Sequence, residues 1–290
     1  RRPRPPSQEA GNVTGLMRDR RGRFGALVLL VAIVVALAAP LVTDGHPDNR
    51  VDVMHTRFLP PLSTDLHGEW HVLGTDRFGR DVWTRLAYGA RISLGVGILA
   101  VAISVALGCL VGGMAGAGRG WLSSSLMAGT DFALGLPRVV LLLLLAALWR
   151  PSAGLVVIVL GVTGWMGIAR LVYGEVRSLS VRSFADGARA LGATRGRVLW
   201  RHLIPNALTP VTVAAALGVG NAILLEAGLS YLGLGVQPPT ASWGSMIASG
   251  RDTLVNAPWV AAAPGVALVL IVVACTLLGD ALRDRLAPDR

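Results

Sequence analysis

Long runs of apolar residues, separated by shorter polar segments, set the pattern of the whole chain. A helix needs about 20 apolar residues to cross the hydrocarbon core of a bilayer. The windows that meet or approach this length are residues 24–42, 92–116, 126–149, 153–172, 208–225 and 259–279. The pattern therefore predicts an all-α integral membrane protein with about six transmembrane helices. Small residues that would let these helices pack closely are Gly95, Gly97, Gly112, Gly113, Gly161 and Gly164.

Ionisable residues interrupt or end two of these windows. Asp131 and Arg138, spaced i, i+7, fall in the third window, and Glu226 follows the fifth. An ionisable residue inside a membrane is a functional candidate by default. We interpret Asp131 and Arg138 as an intramembrane pair. Glu226 either contacts the transported molecule or caps the turn that contains Ser230. The candidates for lining a transport pathway are Asp131, Arg138, Glu226 and Ser230.

The first apolar window has two possible interpretations. A signal peptide is one, but the run is longer than a typical signal-peptide core and further spans follow it. An uncleaved first transmembrane helix is therefore expected. This divides the chain into a cytoplasmic tail (1–23), a first transmembrane helix (24–42), an external loop (43–91) and a five-helix core (92–290) that contains a polar loop (173–207).

Composition supports the membrane class and narrows the partners. Of the 290 residues, 53% are apolar and 15% are charged, and the net charge is +10 with no lysine in the chain. A basic protein is attracted to nucleic acid or to an anionic membrane surface, and the apolar runs decide for the lipid bilayer and against nucleic acid. Both cysteines, Cys109 and Cys275, fall inside apolar runs, so no disulfide framework is expected.

The distribution of arginine predicts the orientation. Loops on one side, which include both termini and residues 173–207, carry 17 arginines, and the loops on the other side carry 8. Positively charged loops stay in the cytoplasm. Both termini and the 173–207 loop are therefore expected in the cytoplasm, and residues 43–91 and 226–258 outside.

The 173–207 loop has the pattern of two short helices joined by a glycine turn. Gly192 interrupts the apolar periodicity, Thr194 can cap a second helix, and Pro205 limits that helix before the next span. The apolar positions of the two helices are Phe184, Ala188, Leu191, Val198, Leu199 and Leu203. Such an element either lies on the anionic inner leaflet or docks a cytoplasmic partner, and composition does not separate the two.

A motif in this loop resembles the coupling loop of ABC importer permeases. Residues 186–188 read DGA, Gly192 follows, and residues 202–205 read HLIP, with the spacing of the E-A-A…G…I-x-L-P pattern. The resemblance implies that the loop docks on an ATPase subunit and decides for the second interpretation. The residues it assigns to coupling are Asp186, Gly187, Ala188, Arg189, Leu191, Gly192, Arg197, His202 and Pro205. Asp for Glu, Gly for the first Ala and His for Ile depart from the pattern.

Three further segments resemble the C-type permeases of dipeptide, oligopeptide and nickel importers. Residues 73–81 read LGTDRFGRD, residues 229–235 read LSYLGLG, and residues 278–284 read LGDALRD. The first segment is either a structural turn or a contact surface for the external binding protein. The residues that this contact would use are Gly74, Thr75, Asp76, Gly79, Arg80 and Asp81.

Energy must come from another chain. The phosphate-binding loop of ATPases needs the pattern G-x-x-x-x-G-K-[ST], and this chain has no lysine. We therefore expect no enzyme activity and no cofactor on this chain, with ATP and magnesium bound by partner ATPases. No metal site is expected, and His67 and His71 are interpreted as solvated.

The combined hypothesis is a type I permease subunit of an ATP-driven, binding-protein-dependent importer of di- or oligopeptides in a bacterial inner membrane. Its partners would be a homologous second permease, two ATPases and an external binding protein. A nickel or glutathione importer of the same family is an alternative. A proton-coupled secondary transporter, with Glu226 or Asp131 as relay, is another.

Overall fold

A computed structural model of the chain describes residues 19–43, 47–48, 53–118 and 120–286. Most of the predicted N-terminal tail, residues 1–18, lies outside the described residues. The helices and strands in chain order are α1 (Arg20–Val42), α2 (Val53–Thr56), β1 (Ser63–Thr64), β2 (Trp70–His71), α3 (Val82–Ala117), α4 (Trp121–Gly135), α5 (Arg138–Ala147), α6 (Ala153–Ser180), α7 (Ser183–Ala190), α8 (Arg195–Val198), α9 (Ile204–Tyr231), α10 (Trp243–Gly250) and α11 (Trp259–Leu286).

Within the described residues, five helical segments are long and apolar enough to cross a membrane: α1, α3, α6, α11 and the continuous stretch from α8 to α9. The predicted third span is instead a broken pair, because α4 and α5 meet at an angle of 84°. Pro137 causes the break. It forces Leu136 into an extended conformation with ψ of 134°, since proline disfavours the helical conformation of the residue before it.

Several helices extend beyond the apolar windows. Helix α3 begins ten residues before its predicted window, and α6 continues to Ser180. A π-helical turn, Leu199–Leu203, joins α8 to α9 without a break. The expectation that Pro205 ends the second short helix of the 173–207 loop is therefore wrong. Pro205 instead lies in the first turn of α9, where the missing backbone N–H is tolerated.

Close packing of α3 on α6 forms the centre of the fold. A Cβ atom added to Gly112 would collide with the carbonyl oxygen of Ala169, and one added to Gly161 would lie 2.8 Å from Ile103. Gly97, Gly113 and Gly164 are similarly crowded, as predicted. Gly95 is the exception, because it has open space within 4 Å.

Arg91 joins the first helix to this core. Pro40 lies inside α1 and has no N–H to donate to the carbonyl of Ala36, four residues earlier. The guanidinium group of Arg91 donates to that carbonyl and, at 2.6 Å, to the carbonyl of Leu37. A side chain of α3 thus compensates for the hydrogen bond that the proline removes from α1.

Candidate functional site

Helix α7 is the first of the two short helices predicted in the 173–207 loop. Asp186 and Arg189, on its exposed surface, form an ion pair with a distance of 2.7 Å between Oδ1 and Nη1. The helix ends in a Schellman motif, in which Gly192 N–H donates to the carbonyl of Arg189 and Ala193 N–H donates to that of Ala188. Gly192 has a φ of +82°, a left-handed conformation that favours glycine.

Helix α8 and the π-helical turn after it form the second predicted short helix. Thr194 caps it as predicted, accepting a hydrogen bond from the backbone N–H of Arg197. The predicted apolar residues Val198, Leu199 and Leu203 are buried in a cluster with residues of α6. Of the predicted apolar residues of the first short helix, Ala188 packs against the same cluster, whereas Phe184 is 40% exposed and Leu191, just after α7, is 91% exposed. Both short helices are therefore anchored to the buried cluster, and Leu191 at the end of the first presents an apolar side chain outward.

Most of the predicted coupling residues share this outer surface. Asp186, Gly187, Arg189, Leu191, Gly192, Arg197 and Pro205 are exposed, and Ala188 and His202 are half-buried. Beneath them lies a cavity of ≈ 440 Å³. Its charged lining residues are Arg177, Asp186, Arg189 and Arg195.

The predicted external contact residues are mostly buried, which favours the structural turn over the contact surface. Thr75 is 0% exposed, Asp76 3% and Arg80 4%, and Gly74 and Gly79 are buried turn residues with positive φ. The carboxylate of Asp76 accepts hydrogen bonds from the backbone and from the guanidinium of Arg80, with an Nη2–Oδ2 distance of 2.6 Å. The segment is a folded turn that is stabilised by contacts between its own residues.

This turn also fixes the ends of two long helices. The carbonyl of Thr75 accepts a hydrogen bond from Trp259 at the start of α11. The half-buried Asp81 caps α3 by accepting a hydrogen bond from Thr84 N–H through Oδ2. Its Oδ1 lies 3.0 Å from His71 Nδ1. His71 is 6% exposed, so the expectation that it is solvated is wrong, while His67 is exposed.

Glu226 is fully buried and bound by serine side chains. Ser230, one helical turn later, donates to its Oε1 at 2.7 Å, and Ser93 of α3 donates to its Oε2 at 3.0 Å. Ser93 also accepts a hydrogen bond from the backbone N–H of Trp243 at the start of α10. The cluster therefore joins α3, α9 and α10, which supports a structural role for the carboxylate.

The predicted pair of Asp131 and Arg138 is not present, and the break of 84° at Pro137 separates the helices that carry the two residues. Asp131 pairs instead with Arg170 of α6, with 3.2 Å between Oδ1 and Nε. Arg138 lines a cavity of ≈ 230 Å³ between α3, α6 and α9. Its Nε is buried and has no hydrogen-bond partner among the described residues. The cavity is lined otherwise by small or apolar residues, with Ser104 and Asn221 as the polar exceptions.

Comparison with known proteins identifies the architecture. Residues 104–290 match the family described as "binding-protein-dependent transport system inner membrane component". The chain belongs to this family. A chain of the MetNI methionine ABC transporter in an inward-facing conformation has the same fold, with a TM-score of 0.56, 20% identity and coverage of 70% of this chain and 97% of that one.

Two curated relatives cover almost the whole permease. A Brucella abortus protein, provisionally named a peptide transport system permease, is 39% identical over 94% of this chain and 89% of its own length. The dipeptide transport system permease protein DppC of Alkalihalophilus pseudofirmus is 35% identical over 94% of this chain and 87% of its own. The predicted family, type I importer fold and multi-pass membrane character are therefore confirmed.

Sequence reasoning missed several polar residues of this permease. Ser93 and Glu226 are 133 positions apart, and no local pattern connects them. Arg170 is the only charged residue in the apolar window 153–172, and Asn221 is the only amide side chain in the window 208–225. An isolated polar residue in an apolar window is the signal that could have indicated Arg170 and Asn221, as it indicated Asp131, Arg138 and Glu226.

Proposed function

We propose that this permease forms half of the pathway of an ATP-driven, binding-protein-dependent importer of di- or oligopeptides. Both curated relatives described above are named for peptide or dipeptide transport, which supports this substrate class. The observation that carries the mechanism is the exposed α7 with its glycine turn, because it offers a short helix with an outward apolar side chain. A helix of this kind binds in a groove of a partner.

The partner at this surface is proposed to be one of two cytoplasmic ATPases. Leu191 would supply the apolar contact, and Asp186 and Arg189 the polar contacts around it. The absence of lysine from the sequence supports the assignment of ATP hydrolysis, and of ATP and magnesium binding, to those partners. A homologous second permease would complete the pathway, and an external binding protein would deliver the peptide.

The same proposal places α7 and both termini in the cytoplasm. The arginine distribution along the loops supports this orientation. The folded turn at residues 73–81 and the 226–258 segment then lie outside. Because the turn is buried, contact with the binding protein would fall on its exposed neighbours, among them Leu62, Leu66 and Trp70.

Arg138 is the proposed pathway residue. A guanidinium in a membrane cavity attracts a carboxylate and can bind it through two parallel hydrogen bonds. Each peptide carries such a group at its C-terminus. The cavity is lined by small residues, among them Gly164, Gly167 and Gly218. This supports a site that binds the peptide backbone and does not select for particular side chains.

Reconstitution with the partner subunits tests the proposal. The proteoliposomes hold the complete importer, with ATP inside, on the side that α7 faces, and the binding protein outside. They should accumulate a labelled dipeptide only when ATP is hydrolysed. Accumulation by the permease alone in response to a proton gradient would contradict the proposal. The matched controls are an ATPase subunit without its catalytic carboxylate and liposomes without the binding protein.

A further inference from the structure

Three potential metal ligands meet in the external hairpin formed by β1 and β2. Asp65 and Glu69 lie in the turn between the strands, and His71 is in β2 itself. One ligand atom from each of the three lies within 4.8 Å of the other two. No metal site is expected from the sequence, where His67 and His71 are interpreted as solvated.

The turn orients the carboxylate of Asp65. Its Oδ1 accepts hydrogen bonds from the backbone N–H groups of His67, at 2.9 Å, and Glu69, at 2.8 Å. The side chain is 1% exposed. The second oxygen, Oδ2, is left to face the Nε2 atom of His71 across 3.9 Å. This distance is too long for a hydrogen bond.

The imidazole of His71 is oriented from its other side. Its Nδ1 lies 3.0 Å from Oδ1 of Asp81, a carboxylate that can only accept, so Nδ1 carries the proton and donates. In the neutral ring Nε2 then holds the lone pair. Nε2 is buried and has no hydrogen-bond partner among the residues that the structure describes. A buried polar atom without a partner is unfavourable and calls for a ligand.

We propose that Asp65, Glu69 and His71 bind a divalent transition-metal ion, with zinc as the best fit. Imidazole nitrogen suits zinc and disfavours magnesium and calcium, which take oxygen ligands. The Asp81–His71 contact has the carboxylate–histidine–metal arrangement that orients metal-bound histidines. Tetrahedral zinc, with bonds of about 2.1 Å, places its ligand atoms about 3.4 Å apart, so the pair at 3.9 Å needs only a small approach.

The surroundings allow entry and a fourth ligand. Glu69 is exposed, so an ion can reach the site from the outside and a water molecule can complete its coordination. A bound ion would join the hairpin to the cap of α3 through His71 and Asp81. The site would thereby hold the exposed hairpin at a fixed position relative to a helix that crosses the membrane.

Metal titration of the full-length permease tests this assignment. The protein, purified without a histidine tag, is stripped with a chelator, placed in lipid nanodiscs and titrated with zinc against a competing chromophoric chelator. We expect one zinc ion per chain. Glu69→Gln should weaken binding at least tenfold, and since this residue is exposed, the variant should fold normally. His71→Gln should abolish binding, and Asp81→Asn should weaken it by about 10- to 100-fold.

His67→Gln is the matched control, because it removes an exposed histidine from the same turn and should leave the affinity unchanged. X-ray absorption at the zinc edge should show nitrogen and oxygen ligands without sulfur. The inference is overturned if the stripped protein binds no zinc. It is equally overturned if binding persists in Glu69→Gln and His71→Gln.

Discussion

Arg91 shows how one side chain can correct a defect in another helix. It donates to the carbonyl of Ala36, which Pro40 has left without a helical partner. Replacing Arg91 by Met should therefore lower the free energy of unfolding by about 1–3 kcal/mol, because a buried acceptor loses its donor. Thermal unfolding of the purified chain in detergent measures the effect.

The Pro40→Ala variant is the control for this prediction. Alanine restores the N–H that α1 needs, so Arg91→Met should be less harmful in that background. The two substitutions should show a coupling energy of about 0.5–3 kcal/mol in a double-mutant cycle. Strict additivity would contradict the explanation.

Arg138 makes a prediction about the ends of the substrate. If its guanidinium binds the C-terminal carboxylate, Arg138→Gln should reduce the uptake efficiency for a dipeptide by about 10- to 100-fold, the value of a charge-assisted hydrogen bond. A C-terminally amidated dipeptide should be a poor substrate of the natural protein and should lose little more in the variant. Labelled uptake into proteoliposomes measures both.

Arg170→Gln is the comparison variant, because that arginine is exposed and pairs with Asp131 outside the cavity. It should retain far more uptake than Arg138→Gln. Equal transport of amidated and free dipeptides by the natural protein would remove the basis of the carboxylate assignment.

The turn after α7 makes a prediction about coupling. Gly192→Ala puts a Cβ atom into a left-handed conformation at a cost of roughly 1–2 kcal/mol, although no neighbouring atom blocks it. We expect the Schellman motif to open, α7 to lose its orientation, and ATP-driven uptake to fall at least fivefold. Uptake and co-purification of the ATPase report the two effects.

The matched control for Gly192→Ala is Gly174→Ala in α6. This glycine is exposed, has an ordinary helical φ and has nothing within 4 Å of an added Cβ. Alanine there should leave uptake unchanged. If both variants transport normally, the conformation of the turn does not matter for coupling.

The contact between α3 and α6 makes a prediction about stability. Gly112→Ala forces a methyl group against the carbonyl of Ala169. Overpacking of this kind destabilises by about 1–3 kcal/mol, and we expect a lower midpoint in detergent thermal unfolding. Gly95→Ala, on the same helix but with open space, should be neutral or stabilising. Equal losses in both would mean that the packing is looser than the structure shows.

Apolar patterning predicted most of the helices but not their ends or the break in the third. The windows identify what a bilayer can hold, whereas a helix continues into water wherever caps and packing allow, as α3 does back to the Asp81 cap. Pro137 indicates a helix break in the sequence, but the prediction of a single third span followed the number of apolar residues in the window instead. The burial of Thr75 and Asp76 could not be predicted from the local sequence. Thr75 contacts Trp259, 184 positions away, and Asp76 lies 3.9 Å from Arg85 of α3.

The proposed orientation places the β1–β2 hairpin and the end of α7 on opposite sides of the membrane, which can be tested by labelling. The natural cysteines are buried, so single new cysteines at exposed positions can report the two sides separately. Leu66→Cys, in the hairpin turn, should react with a membrane-impermeant maleimide in intact cells. Leu191→Cys should react only after the cells are permeabilised. Labelling in the reverse order would invert the proposed orientation.

Helix α3 is longer than any membrane requires. Its 36 residues span about 54 Å at 1.5 Å per residue, whereas the hydrocarbon core is about 30 Å thick. One end is tied to the folded turn at residues 73–81 through Asp81, and the other reaches the cavity beneath α7. A stiff rod of this length, tilted by about 10°, displaces one end by about 9 Å relative to the other. The permease thus contains one continuous helix that connects this turn with the surface around α7, and a tilt imposed at one end of the helix would displace the other end.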